Sequence, residues 1–346
     1  MGASPAFLTQ LDSPSIVLRV IEDERADLPG QTLDGRYRIE RRIGLGGTGV
    51  VFQATQLRDN TQLALKTLRP CFVDHPDLGR RLRREAEVAR RVRHPGIVPM
   101  LDEGVLVDGS PYLVMPLLLG ESMTRLLLRK TVLPVDMVAA LVSRIAAILH
   151  AAHCSGYVHR DVKPEHLLLE PSPTGDLVAY LLDFGVCSSE HAPVDEKDRE
   201  RGKVFGTPSY VSPEQAAGEV EIDGRADLFS LGVLAFEALT GRLPFSGSTV
   251  SKLLLRIIRE DAPRVSDILP KIDPAIDDIV ARLLARDPND RFPSARAVAR
   301  ALAPYVGDRK MVERRIASSL KTAVASSDVV GATERTQRTA AVQNVA

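Results

Sequence analysis

Two aspartates in the middle of this 346-residue chain stand in surroundings that read as machinery for phosphate transfer. One lies in His159-Arg160-Asp161-Val162-Lys163-Pro164, two residues before a lysine. The other opens Asp183-Phe184-Gly185, and Ser212-Pro213-Glu214 follows. Upstream, Ile43-Gly44-Leu45-Gly46-Gly47-Thr48-Gly49-Val50-Val51 is a glycine-rich loop. Glycines let a backbone approach phosphate oxygens with no side chain in between. Alone this signal is weak, because dinucleotide-binding folds use the same glycine spacing. Those folds put the glycines where a strand enters a helix, with an acid about 20 residues further on. Here strand-like residues flank the loop on both sides, and Ala64-Leu65-Lys66 follows.

The elements that must position these residues can be read from periodicity. Short β-rich runs at 37–43, 50–55 and 62–67, broken by Gly and Asp-Asn turns, predict an antiparallel sheet. Strands are expected again at 98–106 and 111–117, around the Asp108-Gly109 turn. A helix is expected over 76–93, and helices dominate after residue 120, at 134–155, 227–240, 249–260, 275–285 and 294–304. Residues 1–35 read as a mobile arm with one short strand at 16–20, and 305–346 as a disordered tail rich in Ser and Thr. The expected organisation is a domain over 36–304, with a small lobe at 36–117 and a larger one at 118–304. The fold class is α+β: a small antiparallel β lobe with one helix, then a mainly α-helical lobe.

Composition narrows the partners. The 45 basic and 45 acidic residues cancel, so there is no global field for nucleic acid or anionic membrane. Cys71, Cys154 and Cys187 are an odd number at unrelated spacings, which suits reduced thiols in a cytoplasmic protein. No apolar run is read as reaching the roughly 18 residues of a membrane span, and no signal peptide is read.

In their order and spacing, the His-Arg-Asp, Asp-Phe-Gly and Ser-Pro-Glu motifs resemble the catalytic core of protein kinases. The lysine of the catalytic loop and Gly206-Thr207-Pro208 bring the chain close to the Hanks-type serine/threonine kinases of bacteria, over about residues 36–304. The resemblance implies transfer of the ATP γ-phosphate to Ser or Thr hydroxyls of protein substrates. Asp161 would be the base and Lys163 the neutraliser of the transferring group. Lys66 would meet the α- and β-phosphates and pair with Glu85, nineteen residues on. Glu87 is the rival acid, but residues two apart on a helix point to different faces. The nucleotide would lie against Ile43, Gly44, Leu45, Gly46, Gly47, Gly49, Val51, Ala64 and Leu168, with Met115 as gatekeeper and Pro116 and Leu118 at the adenine edge. Pro116 has lost only its donor, and the acceptor is what this position needs. His159, Arg160, Phe184 and Thr207 would support the loop, Asp227 would anchor its backbone, and Glu214 would pair with Arg291.

Two departures stand out. Five residues after Asp161 the family places a metal-binding Asn, and this chain has His166. Asp183 would hold Mg²⁺. An imidazole beside it offers nitrogen and suits Mn²⁺ better, so a weak or Mn²⁺-preferring enzyme is expected. The alternative is a nucleotide-binding pseudokinase serving as a scaffold or allosteric partner. A homodimer is left open. The second departure is that 191–204 hold no Ser, Thr or Tyr, while Glu190, Asp195, Glu196, Asp198 and Glu200 are acidic. One of these acids could supply the negative charge that a phosphate usually gives Arg160 and the arginine-rich 80–93 segment. A self-paired, solvated run is the plainer account. A third reading makes Ser318, Ser319 and the other tail hydroxyls an autophosphorylated recruitment segment.

Overall fold

The computed structural model describes residues 28–189, 206–219 and 221–320. The chain divides into two compact units. Among the described residues, 28–79 and 104–112 form the first, and 80–103 with 113 onward form the second.

The first unit is built on antiparallel strands β1 (Thr32–Leu33), β2 (Tyr37–Leu45), β3 (Gly49–Gln56) and β4 (Gln62–Leu68). Alternation turns Val50, Phe52 and Ala54 to a buried face together with Leu63 and Leu65. The register sets Val51 opposite Lys66 and Gln53 opposite Ala64, so Val51, Ala64 and Lys66 share the other face. Strands β5 (Asp102–Val105) and β6 (Pro111–Pro116) complete the sheet order β1-β2-β3-β4-β6-β5. A Cβ on Gly104 would meet the Tyr112 ring at 2.4 Å, so the edge hairpin closes only on glycine. Residues 28–35, expected in the arm, belong to the fold instead. Leu28 is buried, β1 pairs with β2, and the Tyr112 hydroxyl donates to Asp34. Residues 1–27 of that arm lie outside the described residues.

The second unit is mainly helical. It includes α1 (Pro76–Arg91) from Arg80 on, rather than leaving that helix with the sheet as the division at 117/118 expects. The reason is packing: Val88 and Val92 join the large core, Glu87 accepts from the Tyr157 hydroxyl, and Arg84 donates to the Cys187 carbonyl. Then come α2 (Met123–Lys130), α3 (Val135–Cys154), the short α4 (Pro213–Ala216), α5 (Arg225–Thr240), α6 (Val250–Arg259), α7 (Pro274–Leu283), α8 (Ala295–Leu302) and α9 (Arg309–Ser319). The core lies along α3 and α5, where Leu141, Ile145, Leu149, Phe229, Leu231 and Phe236 are fully buried.

Helix α3 is long and apolar enough to cross a membrane by composition, a run not recognised in the sequence. Most of it is covered by α5, α8 and α9, so core burial accounts for its character. Two small sheets lie nearby. One has the order β10-β9-β7, from β10 (Leu177–Leu181), β9 (Leu167–Pro171) and β7 (Glu121–Ser122). The other pairs β8 (Tyr157–Val158) with β11 (Ser188–Ser189).

Helix α9 corrects the expected tail. Asp308 caps it by accepting from Met311 N–H, and Val312, Ile316 and Ala317 are buried. Glu313, also buried, takes a two-pronged bond from Arg144 of α3, with Nε at 2.9 Å. The Ser319 carbonyl accepts from Arg129. Ser318 and Ser319 are therefore helix-terminal residues whose hydroxyls donate to carbonyls of their own turn. The rest of the expected tail, 321–346, lies outside the described residues.

Candidate active site

In the first unit, the glycine loop closes between β2 and β3 with Leu45 opposite Val50 and Gly44 opposite Val51. Gly46 N–H donates to the Gly49 carbonyl at 2.8 Å. An added Cβ on Gly47 would meet nothing within 4 Å, and on Gly46 only the Gly49 carbonyl at 3.5 Å. Internal packing does not demand glycine at these two exposed positions, which suits a backbone kept clear for a ligand. Gly49 differs: it is buried, and its Cβ would press the Thr67 carbonyl at 3.1 Å. Ile43 lies on β2, while Lys66 is half-buried on β4.

The remaining expected residues are in the second unit. Met115 and Pro116 end β6, Leu118 follows, and Leu168 sits on β9 opposite Tyr180 and Ser122. All four are half-buried. Glu85 is half-buried on α1. Its rival Glu87 is committed elsewhere, to the Tyr157 hydroxyl at 3.0 Å and to Arg91. Of the arginine-rich face, Arg90 pairs with Glu103 and Arg84 holds the Cys187 carbonyl, so it is not wholly a solvated stripe.

The catalytic loop hangs from a buried anion. Asp227, fully buried in the first turn of α5, accepts from His159 N–H at 2.9 Å, Arg160 N–H at 2.8 Å and His153 Nε2 at 2.8 Å. Burial opposes its charge, but the His153 hydrogen bond and the His159 backbone N–H win, and its carboxyl is held below the usual range. The anchor lets Arg160 adopt a left-handed backbone at φ 64°, which turns the chain toward Asp161. Burial pushes the fully enclosed His159 below the ordinary histidine range. Its Nδ1 accepts from Asp161 N–H and its Nε2–H donates to the Leu182 carbonyl, the bonding pattern of a neutral ring. Its edge meets Phe184, centroids 4.6 Å apart, tying the two motifs together.

Asp161 is nearly buried, and both its oxygens are engaged. Thr207 N–H donates to Oδ1 at 2.8 Å, and Lys163 Nζ donates to Oδ2 at 2.7 Å and to Thr207 Oγ1 at 2.6 Å. Burial works against its ionisation, yet His166 and Lys163 outweigh it and keep the carboxyl low. Thr207 is brought here by Gly206, whose φ of 104° and 2.8 Å gap from a would-be Cβ to the Arg160 carbonyl exclude any side chain. Asp183 also has a left-handed backbone, with its side chain about half exposed. His166 stands between the two aspartates. Its Nδ1 is 2.9 Å from the Asp161 carbonyl oxygen, and its Nε2 is 3.4 Å from Asp183 Oδ2.

Arg291 places all five N–H groups: two on Glu214, at 2.7 and 2.8 Å, and the others on the carbonyls of Ala285, Arg225 and Arg286. Two residues escaped the sequence reading. His153 completes the Asp227 anchor. Gln215 closes a capping box with Ser212 and donates to the Arg160 carbonyl at 2.9 Å. The Ser-x-x-Gln spacing signalled the cap but not the long-range bond. The acids of 190–200 lie outside the described residues.

Residues 37–302 match the protein kinase domain family. The serine/threonine-protein kinase pkn3 of Myxococcus xanthus is 34% identical over 296 residues, covering 84% of this chain and 54% of that protein. PknD of Mycobacterium tuberculosis is 36% identical over 262 residues, covering 75% and 38%. The chain thus spans about half or less of the length of these curated relatives. The crystal structure of the Mycobacterium tuberculosis PknI kinase domain superposes with a TM-score of 0.61 at 31% identity, covering 80% of this chain and 98% of that one. With its ordered motifs, its folded catalytic loop and these similarities, the chain belongs to the protein kinase family, among the Hanks-type serine/threonine kinases of bacteria.

Proposed function

We propose that this chain transfers the γ-phosphate of ATP to Ser or Thr hydroxyls of protein substrates. The observation that carries this is the network around Asp161. The ammonium of Lys163 is within hydrogen-bonding distance of both the Asp161 carboxylate and the Thr207 hydroxyl, and Thr207 N–H donates to the same carboxylate. They rest on a loop whose backbone is fixed by a buried aspartate. Asp161 orients the attacking hydroxyl and takes its proton, and Lys163 offsets charge on the transferring group. With its carboxyl held low, Asp161 is a weak base, so catalysis comes mainly from positioning and charge stabilisation. Lys66 meets the α- and β-phosphates and the glycine loop covers them, while Glu85 is the acid that the family resemblance assigns to the lysine. Val51 and Ala64 of the first unit, and Met115, Pro116, Leu118 and Leu168 of the second, are the residues that the family resemblance assigns to adenine.

The site residues fit a divalent ion. The half-exposed Asp183 carboxylate and the neighbouring His166 nitrogen are an oxygen and a nitrogen donor 3.4 Å apart. When bound, the ion neutralises phosphate charge. Asp183 would hold it with the nucleotide, Mg²⁺ or Mn²⁺ being the candidates. A cytoplasmic location and a homodimer belong to the same proposal.

A second reading, a nucleotide-binding pseudokinase, is favoured by one observation: the His166 ring occupies the space between Asp161 and Asp183. The two separate in a phosphoamino-acid assay. Incubation with labelled ATP and a mixed protein substrate should yield phosphoserine and phosphothreonine but no phosphotyrosine. Nucleotide binding with no phosphoamino acid would favour the scaffold.

A further inference from the structure

The peptide unit that joins Arg160 to Asp161 is gripped at both edges. Its carbonyl accepts from the Gln215 side-chain amide at 2.9 Å, and its N–H donates to His159 Nδ1 at 3.2 Å. Arg160 itself has a φ of 64°, a left-handed backbone that a non-glycine residue keeps only when its surroundings over-determine it. Asp227 holds Arg160 on one side, through its N–H at 2.8 Å. Gln215 is the matching hold on the other side, at the carbonyl. Without it a buried carbonyl would lose its partner, and the peptide plane could turn and carry Asp161 with it.

The partners also fix which way the amide points. The Arg160 carbonyl can only accept, so it faces Nε2, and the Ser212 N–H, 3.3 Å away, can only donate, so it faces Oε1. Ser212 Oγ donates to the same Oε1 at 3.1 Å, and both side chains are buried. Gln215 thus donates to the catalytic loop and accepts from its own helix cap at once. Eight residues earlier in the same segment, Thr207 N–H donates to the Asp161 carboxylate at 2.8 Å. Between them the Tyr210 carbonyl is tied to α5 by Ser230 Oγ at 2.7 Å. One segment, 207–215, therefore holds the Asp161 side chain at one end and the peptide before it at the other.

We propose that Gln215 is a positioning residue for phosphate transfer: it fixes the peptide plane before Asp161, and through it the aim of the Asp161 carboxylate. The inference rests on the kinase reading of the site. Gln215 acts through the Arg160 carbonyl and not on the reacting atoms. A group whose work is orientation loses rate steeply when its support shifts, because the reacting geometry must be met closely. The loss should therefore fall on kcat and leave nucleotide binding in place.

The test compares two variants of the full chain. Gln215→Met keeps the volume and removes the bond to Arg160, whereas Ser212→Ala removes the capping hydroxyl and leaves the amide facing Arg160. For each, kcat and KM for ATP, the affinity for a non-hydrolysable ATP analogue, and the urea midpoint are measured. The expected result for Gln215→Met is a kcat lower by about 10²-fold, with KM and analogue affinity nearly unchanged. Ser212→Ala should lower the midpoint yet slow turnover far less. Gln215→Leu is the second variant should the Met form fold poorly. A wild-type kcat in Gln215→Met would overturn the inference and leave the kinase reading standing. So would losses of kcat that merely follow the unfolded fraction in all the variants alike, since Gln215 would then be a helix cap only. Absence of transfer by the wild type would overturn both.

Discussion

His153 donates from Nε2 to Asp227 across 74 residues of sequence, at 2.8 Å, and this bond completes the anchor from which the catalytic loop hangs. The same aspartate receives the backbone N–H groups of His159 and Arg160, so His153 acts on catalysis through the loop and not on the reacting atoms. Replacing it removes one hydrogen bond to a buried charge, a loss of about 1.5–3 kcal/mol. His153→Ala should lower the urea midpoint and kcat together, with little change in KM for ATP. An unchanged midpoint would remove His153 from the anchor.

The Glu214–Arg291 pair is almost fully enclosed, and every N–H of the guanidinium is used. Removing one partner strands a buried charge, which typically costs about 3–5 kcal/mol. Glu214→Ala should cost this much by denaturant unfolding. Glu214→Ala with Arg291→Met should recover part of it. A double variant no more stable than the worse single one would contradict the account.

How much of this was legible in the sequence depends on the range of the interaction. The His-Arg-Asp, Asp-Phe-Gly and glycine-loop motifs were readable because their chemistry needs particular side chains at short, fixed spacing. The Lys163–Asp161 contact spans two residues and could hardly be missed. Helix α9 was missed for the opposite reason. Its 309–319 segment is rich in charge, and the partner that makes Glu313 a buried residue, Arg144, is 169 positions away. His153 and Gln215 were likewise ordinary helix residues until the fold supplied Asp227 and the Arg160 carbonyl. That residues 80–91 of α1 group with the helical unit was not legible, because periodicity reveals an apolar face but not what covers it.

Helix α9 should matter to stability although it lies beyond the residues that match the family. Glu313→Ala breaks the buried end of a charged, two-pronged hydrogen bond and should destabilise by about 1.5–3 kcal/mol. Ending the chain after Gly307 should cost more, because Val312 and Ile316 are lost from the core as well. Thermal unfolding of both forms decides this. A truncated chain as stable as the full one would show that the helix contributes nothing.

Acid sensitivity should begin near neutrality. Burial holds His159 below the ordinary histidine value in the folded state. The unfolded chain, with its pKa near about 6.5, then binds the proton first. Stability is therefore full above that pH and declines as pH falls toward the lower folded value. Asp227, also depressed, adds a further loss only below about pH 4. Urea midpoints between pH 8 and pH 5 should fall in the wild type and fall less steeply in His159→Phe. Parallel slopes would contradict the buried, neutral assignment.

Lys163 touches both Asp161 and Thr207 but is not part of the hydrophobic core. Lys163→Met should leave the unfolding midpoint nearly unchanged and lower kcat by about 10²–10³-fold, the scale seen when one preorganised charge-stabilising group is removed. A rise in KM with kcat intact would instead make it a ground-state binding residue.

The most direct measurement is the rate of phosphate transfer from labelled ATP to a Ser/Thr-containing protein, in Mg²⁺ and separately in Mn²⁺, with Asp161→Asn as the blank. The network around Asp161 predicts transfer by the wild type in at least one metal and none above background in the variant, with both forms equally folded. Equal signal from wild type and Asp161→Asn, or no signal from the wild type in either metal, would contradict the claim that this site is a working kinase centre.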